Sequence, residues 1–121
     1  MTKHILIAED DAALADMMSK VLRKYNVRVS IAYNGQETIE ILEKEEPDLL
    51  LLDILMPVLD GHEVLKFMKE KELDCPIIVI TNLSDKKTMT KCKEMNVKKY
   101  IVKNDMDDDD LWPAIEKFLH G

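Results

Sequence analysis

The sequence predicts an α/β layer fold, a five-stranded parallel sheet with five helices, and three observations carry the prediction. Short apolar runs alternate with amphipathic segments at a steady spacing along the 121 residues. Two of those runs, Leu49-Leu50-Leu51-Leu52 and Ile77-Ile78-Val79-Ile80, are apolar without interruption, as fully buried strands are. The hydrophobic share of 46% is enough for one core, and a chain of this length is expected to form one domain, residues 1–121, with no separate output domain.

Ile5-Leu6-Ile7-Ala8 is the first predicted strand, and it ends abruptly in Glu9-Asp10-Asp11. The period then changes. Leu14, Met17, Met18, Val21, Leu22 and Tyr25 recur at steps of three and four, which predicts an amphipathic helix over 12–25. Val27, Val29, Ile31 and Tyr33 alternate with polar or small residues, the pattern of a half-exposed strand at a sheet edge. Asn34-Gly35 opens a second helix in which Ile39 and Leu42 face inward, and Pro47-Asp48 stops it. The four leucines that follow are bounded by Pro47 and by Asp53-x-x-x-Pro57, too short a run for a helix, and form the third strand. Ile77 to Ile80, β-branched throughout, is the fourth, and Tyr100-Ile101-Val102 is the last. Amphipathic stretches over 61–71, 85–95 and 110–120 supply the remaining helices. In the last of these Asp110 is the expected N-cap, with Pro113 at the third helical position, where its missing N–H costs no bond, and Gly121 ends the helix.

Seventeen basic residues against twenty-four acidic ones leave a net charge of −7, which speaks against nucleic-acid binding, since a phosphate backbone is met by clustered Lys and Arg. Much of the acid is concentrated in Glu9, Asp10, Asp53, Asp105, Asp107, Asp108, Asp109 and Asp110; setting these eight aside leaves 16 acidic residues against 17 basic ones. Cys75 and Cys92 have no metal-ligand spacing and are expected to be buried and reduced. His4, His62 and His120 have no ligand-like spacing either, and are read as surface or loop residues. Most of the eight methionines are read as core fillers, and Trp112, the only tryptophan, as a cover on the core. The N-terminus lacks a signal-peptide h-region, and no apolar stretch approaches the roughly 18 residues that span a bilayer. A cytoplasmic location is the expectation, with no membrane contact.

In a parallel sheet every strand ends on the same side, and ligands sit beyond the carboxyl ends. The predicted strands end in Glu9-Asp10, Asp53, Thr81 and Lys103, so three carboxylates, a hydroxyl and an amine are expected at one rim. Carboxylates that close repel one another, and a cation relieves them. All-oxygen ligation favours a hard ion such as Mg²⁺, held by one or two carboxylates and a phosphate. A carboxylate in such a pocket can act as a nucleophile toward phosphorus and form an aspartyl phosphate, with the Lys103 ammonium and the Thr81 hydroxyl suited to hold the phosphoryl oxygens. Metal binding alone leaves Lys103 without a purpose. Taken singly each residue has a plain explanation: Glu9-Asp10-Asp11 as helix-capping acids, Asp53 as a turn former, Thr81 as a strand residue, Lys103 as a solvated lysine. Their order and spacing carry the inference, and Asp11 is read as a cap only.

With these residues in place the sequence resembles the receiver domains of bacterial two-component response regulators, the CheY-like family, over essentially its whole length. Leu51-Leu52-Asp53-Ile54-Leu55-Met56-Pro57-Val58-Leu59-Asp60-Gly61 looks like the phosphoacceptor segment, Glu9-Asp10 the acidic pair, Thr81 the switch hydroxyl, and Tyr100-Ile101-Val102-Lys103 the aromatic-x-x-Lys of the last strand. The resemblance implies a doubly wound, flavodoxin-like fold with strand order 2-1-3-4-5. It implies that Asp53 is phosphorylated by a phosphohistidine on a histidine kinase or phosphotransfer protein, and that Asp10 ligates Mg²⁺ with Glu9 assisting. The Leu55 backbone carbonyl and Asp53 would complete the metal's protein ligands. Lys103 would pair with Asp53 and then with the phosphoryl group, Thr81 would swing to a phosphoryl oxygen, and Tyr100 would turn inward. Such a protein catalyses only its own phosphorylation and dephosphorylation, is not otherwise an enzyme, and passes the signal to a downstream protein target. Dimerising relatives pair their fourth and fifth helices, which makes a homodimer through helix 4, strand 5 and helix 5 an expectation here, with Lys86, Lys87, Lys91, Lys93, Lys98 and Lys99 facing the aspartate run.

Two positions depart from the family pattern. The small residue that tends to follow the switch hydroxyl is Asn82, and the proline that usually follows the lysine is Asn104, so a cis peptide is not expected there. Leu55 and Leu83, two residues beyond Asp53 and Thr81, are apolar, which points to slow autodephosphorylation. Other readings are a degenerate receiver acting as a constitutive interaction module, a small Mg²⁺-dependent phosphatase of the haloacid-dehalogenase kind, and a flavodoxin-like electron carrier. The phosphatase needs a second Asp two residues after the nucleophile, where Leu55 stands; the carrier needs a Ser/Thr/Gly-rich loop where Glu9-Asp10-Asp11 would repel FMN phosphate.

Overall fold

The computed structural model describes residues 2–119. Five strands, β1 (Lys3–Ala8), β2 (Val27–Ala32), β3 (Leu49–Leu52), β4 (Ile77–Thr81) and β5 (Lys99–Val102), alternate with α1 (Ala12–Arg23), α2 (Gly35–Lys44), α3 (Gly61–Glu70), α4 (Lys86–Glu94) and α5 (Leu111–Ile115). All four strand pairings are parallel and the order is β2-β1-β3-β4-β5. Both the doubly wound fold and the strand order agree with expectation.

The central strands divide their side chains by the period of two. Leu6, Ala8, Leu50, Leu52, Ile77 and Val79 belong to a core that takes in Leu42, Val64, Leu65, Met68 and Cys92 from the helices. Ile5, Ile7, Leu49, Leu51, Ile78 and Ile80 face a second core with Ala15, Met18, Leu22, Leu111 and Ile115. With a helical layer over each face, the stretches Ile5–Ala8 of β1, Leu49–Leu52 of β3 and Ile77–Ile80 of β4 can be apolar at every position, which is why these runs showed no alternation. β2 and β5 form the edges and are only partly covered.

Four helices start in the same way. Asp11, Asn34, Asp60 and Asp85 have extended backbones, and their side chains accept from the N–H of Leu14, Glu37, Glu63 and Thr88 respectively. Each such cap stabilises its helix by about 1 kcal/mol. Because every helix follows a strand, these caps also set where the chain turns at the carboxyl-end rim.

Several expectations need correction. α1 stops at Arg23, and Asn26 has a positive φ of 59°, so Tyr25 lies outside the helix. Tyr25 is 45% exposed and stacks on Trp112 with ring centroids 4.2 Å apart. β2 ends at Ala32 and leaves Tyr33 exposed. The closing helix is broken: a 3₁₀ turn over Asp108–Asp110, the α-helical Leu111–Ile115, and a second 3₁₀ turn over Glu116–Leu119. Asp110 does not cap α5. Its carboxylate reaches back to the N–H of Asp107 at 2.9 Å, because neighbouring aspartates close a tight turn before the helix begins. Pro113 is the third residue of α5, as expected; Gly121 and His120 lie outside the described residues. His4 is buried, with its Nε2 2.8 Å from Ser30 Oγ, since β1 enters the sheet two residues before its apolar run. His62 is half-buried in the first turn of α3. Cys75 and Cys92 are buried and free, Met18, Met56 and Met68 are core residues, and Met89 is exposed.

Candidate functional site

The sheet itself brings the acids together. At the end of β1 the Glu9 N–H donates to the Ala32 carbonyl at 2.9 Å, and at the end of β3 the Asp53 N–H donates to the Ala8 carbonyl at 3.0 Å. These ladder bonds fix the two backbones side by side. Glu9, Asp10 and Asp53 each offer a carboxylate oxygen within 4.8 Å of the others. Glu9 and Asp53 are buried, 1% and 5% exposed, whereas Asp10 faces solvent.

Lys103, at the end of β5, reaches into this cluster. Its Nζ is 2.7 Å from Asp53 Oδ2 and 2.5 Å from Glu9 Oε1. The other Asp53 oxygen, Oδ1, accepts the N–H of Leu55 at 3.2 Å, and Glu9 Oε2 accepts the N–H of Asp11 at 3.1 Å. One ammonium against two buried carboxylates leaves the pocket short of positive charge. Burial pushes the Glu9 carboxyl up to about 7 against the pull of Lys103, with the Asp53 charge adding to the rise. Burial also opposes the Lys103 ammonium, but its bonds to Asp53 and Glu9 outweigh that and raise its pKa. A hard divalent cation fits this donor set: the ligands are all oxygen, they converge, and their charge is under-compensated.

Gly61 opens α3 directly behind Asp53. Its N–H donates to the Ile54 carbonyl at 2.8 Å, and a Cβ placed there would sit 2.7 Å from the Asp53 carbonyl oxygen. Only glycine lets the helix start this close to the backbone that carries Asp53. Between them Val58 has φ 69°, and the Leu59 N–H bonds the Pro57 carbonyl at 2.8 Å, a strained γ-turn for a β-branched residue.

Thr81 ends β4 with no exposure, and its Oγ1 accepts the Leu83 N–H at 3.4 Å. The Tyr100 hydroxyl donates to the Leu83 carbonyl at 2.5 Å; burial pushes the phenol up to about 12, so it stays protonated as a donor. Tyr100 is therefore already tied to the loop after Thr81. Leu55 is 57% exposed at the rim. Sequence reasoning left Asn82 and Asn104 without a role, yet the two are bonded, Asn104 N–H to Asn82 Oδ1 at 3.0 Å. The only signal for that pair was that both positions break the family pattern.

A family model described as response regulator receiver domain matches residues 5–116. The chain belongs to this family. Receiver domains are signalling switches of two-component systems rather than ordinary enzymes, and they typically bind Mg²⁺ at an acidic pocket. Sporulation initiation phosphotransferase F of Bacillus subtilis is 31% identical over 119 residues, covering 98% of this chain and 95% of that protein. Transcription factor SKN7 of Saccharomyces cerevisiae is 41% identical over 78 residues, which is 64% of this chain and 12% of that protein. A CheY-like receiver domain protein from Methanospirillum hungatei superposes with a TM-score of 0.93 at 27% identity, covering 99% of this chain and 95% of the other. Among the described residues no helix of this receiver is long and apolar enough to cross a membrane.

Proposed function

We propose that the chain is a phosphorylation-dependent switch whose acceptor is Asp53. The observation that carries this reading is the buried Asp53 carboxylate held by Lys103 inside a converging acidic cluster. A phosphohistidine on a histidine kinase or phosphotransfer protein is the donor; the likeness to a phosphotransferase supports that choice. An Asp53 oxygen attacks phosphorus while the P–N bond of the donor breaks, and the imidazole leaves with the bonding pair and takes up a proton. The Lys103 ammonium passes from the free carboxylate to the phosphoryl oxygens, and the Thr81 hydroxyl exchanges the Leu83 N–H for one of them. The Leu83 carbonyl moves with that loop, which takes the Tyr100 hydroxyl bonded to it inward and changes the face made by α4, β5 and α5. Glu9, Asp10, Asp53 and the Leu55 carbonyl would hold Mg²⁺, whose charge offsets the repulsion between the carboxylates and the incoming phosphoryl group.

The side chains of Leu55, exposed at the rim, and Leu83, half-buried, offer no hydrogen bond to an attacking water, so the phosphoryl group is expected to persist well beyond seconds once the donor is removed. Phosphorylated protein is expected to pair through α4, β5 and α5; a monomer in sedimentation contradicts that. For the reading as a whole the test is intact mass after incubation with Mg²⁺ and acetyl phosphate. Wild type gains one phosphoryl group and Asp53→Asn gains none. A wild type that stays unmodified, or a variant that gains equally, overturns the proposal.

A further inference from the structure

Lys103 opens a single 3₁₀ turn, Lys103–Asp105, whose N-cap residue Val102 has no side-chain acceptor to offer. The first N–H groups of such a turn find no partner within it. The one at Asn104 is met from another part of the chain, by Asn82 Oδ1 at 3.0 Å. Asn82 directly follows Thr81 in the loop between β4 and α4, the loop whose Leu83 bonds both Thr81 Oγ1 and the Tyr100 hydroxyl. One side chain thus joins the loop of the hydroxyl to the turn of the lysine.

The two departures from the receiver pattern are the two halves of this bond. An alanine at 82 has no acceptor. A proline at 104 has no N–H to donate. β5 is an edge strand with half-buried residues, so its end has less packing to hold it than the end of β3 has, and a capping bond there fixes the backbone from which the Lys103 ammonium extends.

We propose that Asn82 is a positioning residue for phosphoryl transfer, capping the Lys103 turn so that the ammonium meets Asp53 in the productive place. The proposal rests on the reading of Asp53 as the acceptor. With acetyl phosphate as donor and saturating Mg²⁺, loss of one neutral hydrogen bond that acts in the transfer slows phosphoryl gain about fivefold. Asn82→Ala and Asn104→Pro should both show this loss, and the double variant should be no slower than either alone. Asn104→Ala keeps the backbone N–H and should react at the wild-type rate, a contrast that side-chain packing at 104 does not produce. Amide hydrogen exchange gives the structural readout: the Asn104 amide is protected in wild type and in Asn104→Ala, and loses that protection in Asn82→Ala.

An unchanged rate in Asn82→Ala, or an Asn104→Ala variant as slow as Asn104→Pro, overturns the positioning role. So does an Asn104 amide that exchanges equally fast with and without Asn82. If wild type gains no phosphoryl group at all, the acceptor reading falls and takes this proposal with it, whereas a wild type that reacts and an Asn82→Ala that matches it sink the tether alone.

Discussion

β3 and β5 both end at the acidic pocket, and they are packed very differently. Every residue of β3 is buried, Leu49 to Leu52 at no more than 1% exposure, with a neighbouring strand on each side. β5 pairs with β4 alone, its first residue is exposed and the other three are half-buried. Asp53 therefore stands on a strand locked from both faces, while Lys103 stands on an edge strand secured by a few hydrogen bonds. On the proposed function the contrast separates two jobs. An acceptor whose geometry governs in-line attack benefits from a fixed frame, and a side that must report phosphorylation needs low-cost alternatives.

The largest effect expected from this contrast is on stability. Leu50→Ala removes a fully buried side chain and should cost about 3–4 kcal/mol in urea unfolding, while Ile101→Ala on β5 should cost about 1–2 kcal/mol. Equal losses would erase the distinction between the two strands.

Glu9 gives the next largest effect, and its sign is opposite to that of an ordinary paired carboxylate. Its folded pKa of about 7 lies above the ordinary 4.5, so the neutral acid favours the fold. That contribution is complete below about pH 4.5 and is lost as pH rises to about 7. Without Mg²⁺, the stability of wild type relative to Glu9→Gln should fall by on the order of 2–3 kcal/mol between pH 4.5 and 8. Because the ligand form is the anion, Mg²⁺ affinity should rise with pH up to about 7 and then level off. A pH-independent affinity contradicts the assignment of Glu9 to the metal.

Gly61→Ala sharpens the claim that the Asp53 frame is fixed. The new Cβ would press on the Asp53 carbonyl, and the variant should lose about 2 kcal/mol and slow phosphoryl gain, read by urea unfolding and intact mass. The smallest effect has the other sign. Val58→Gly relieves a positive φ at an exposed residue and should raise stability by about 1 kcal/mol in the same unfolding measurement.

The sheet was legible because its physics is local. Uninterrupted runs such as Ile77 to Ile80 have few alternatives, and parallel strands must deliver Glu9, Asp53, Thr81 and Lys103 to one rim. Helix starts were legible from Asp11 and Asn34, whose side chains act within three residues. The rest depended on distant partners. Asp110 had a good N-cap position but found a nearer donor at Asp107, and Tyr25 left its helix to stack on Trp112. His4 looked like a surface residue because its partner Ser30 lies on the next strand. The bond between Asn82 and Asn104 spans two loops, and no periodicity announces it.

The most direct measurement locates the phosphoryl group itself. Phosphorylated protein reduced with borohydride and digested should carry homoserine at position 53 and at no other aspartate, since only an acyl phosphate is reduced. Homoserine at Asp10, at Asp60 or within the 105–110 run, or none at all in protein that has gained a phosphoryl group, would contradict the account.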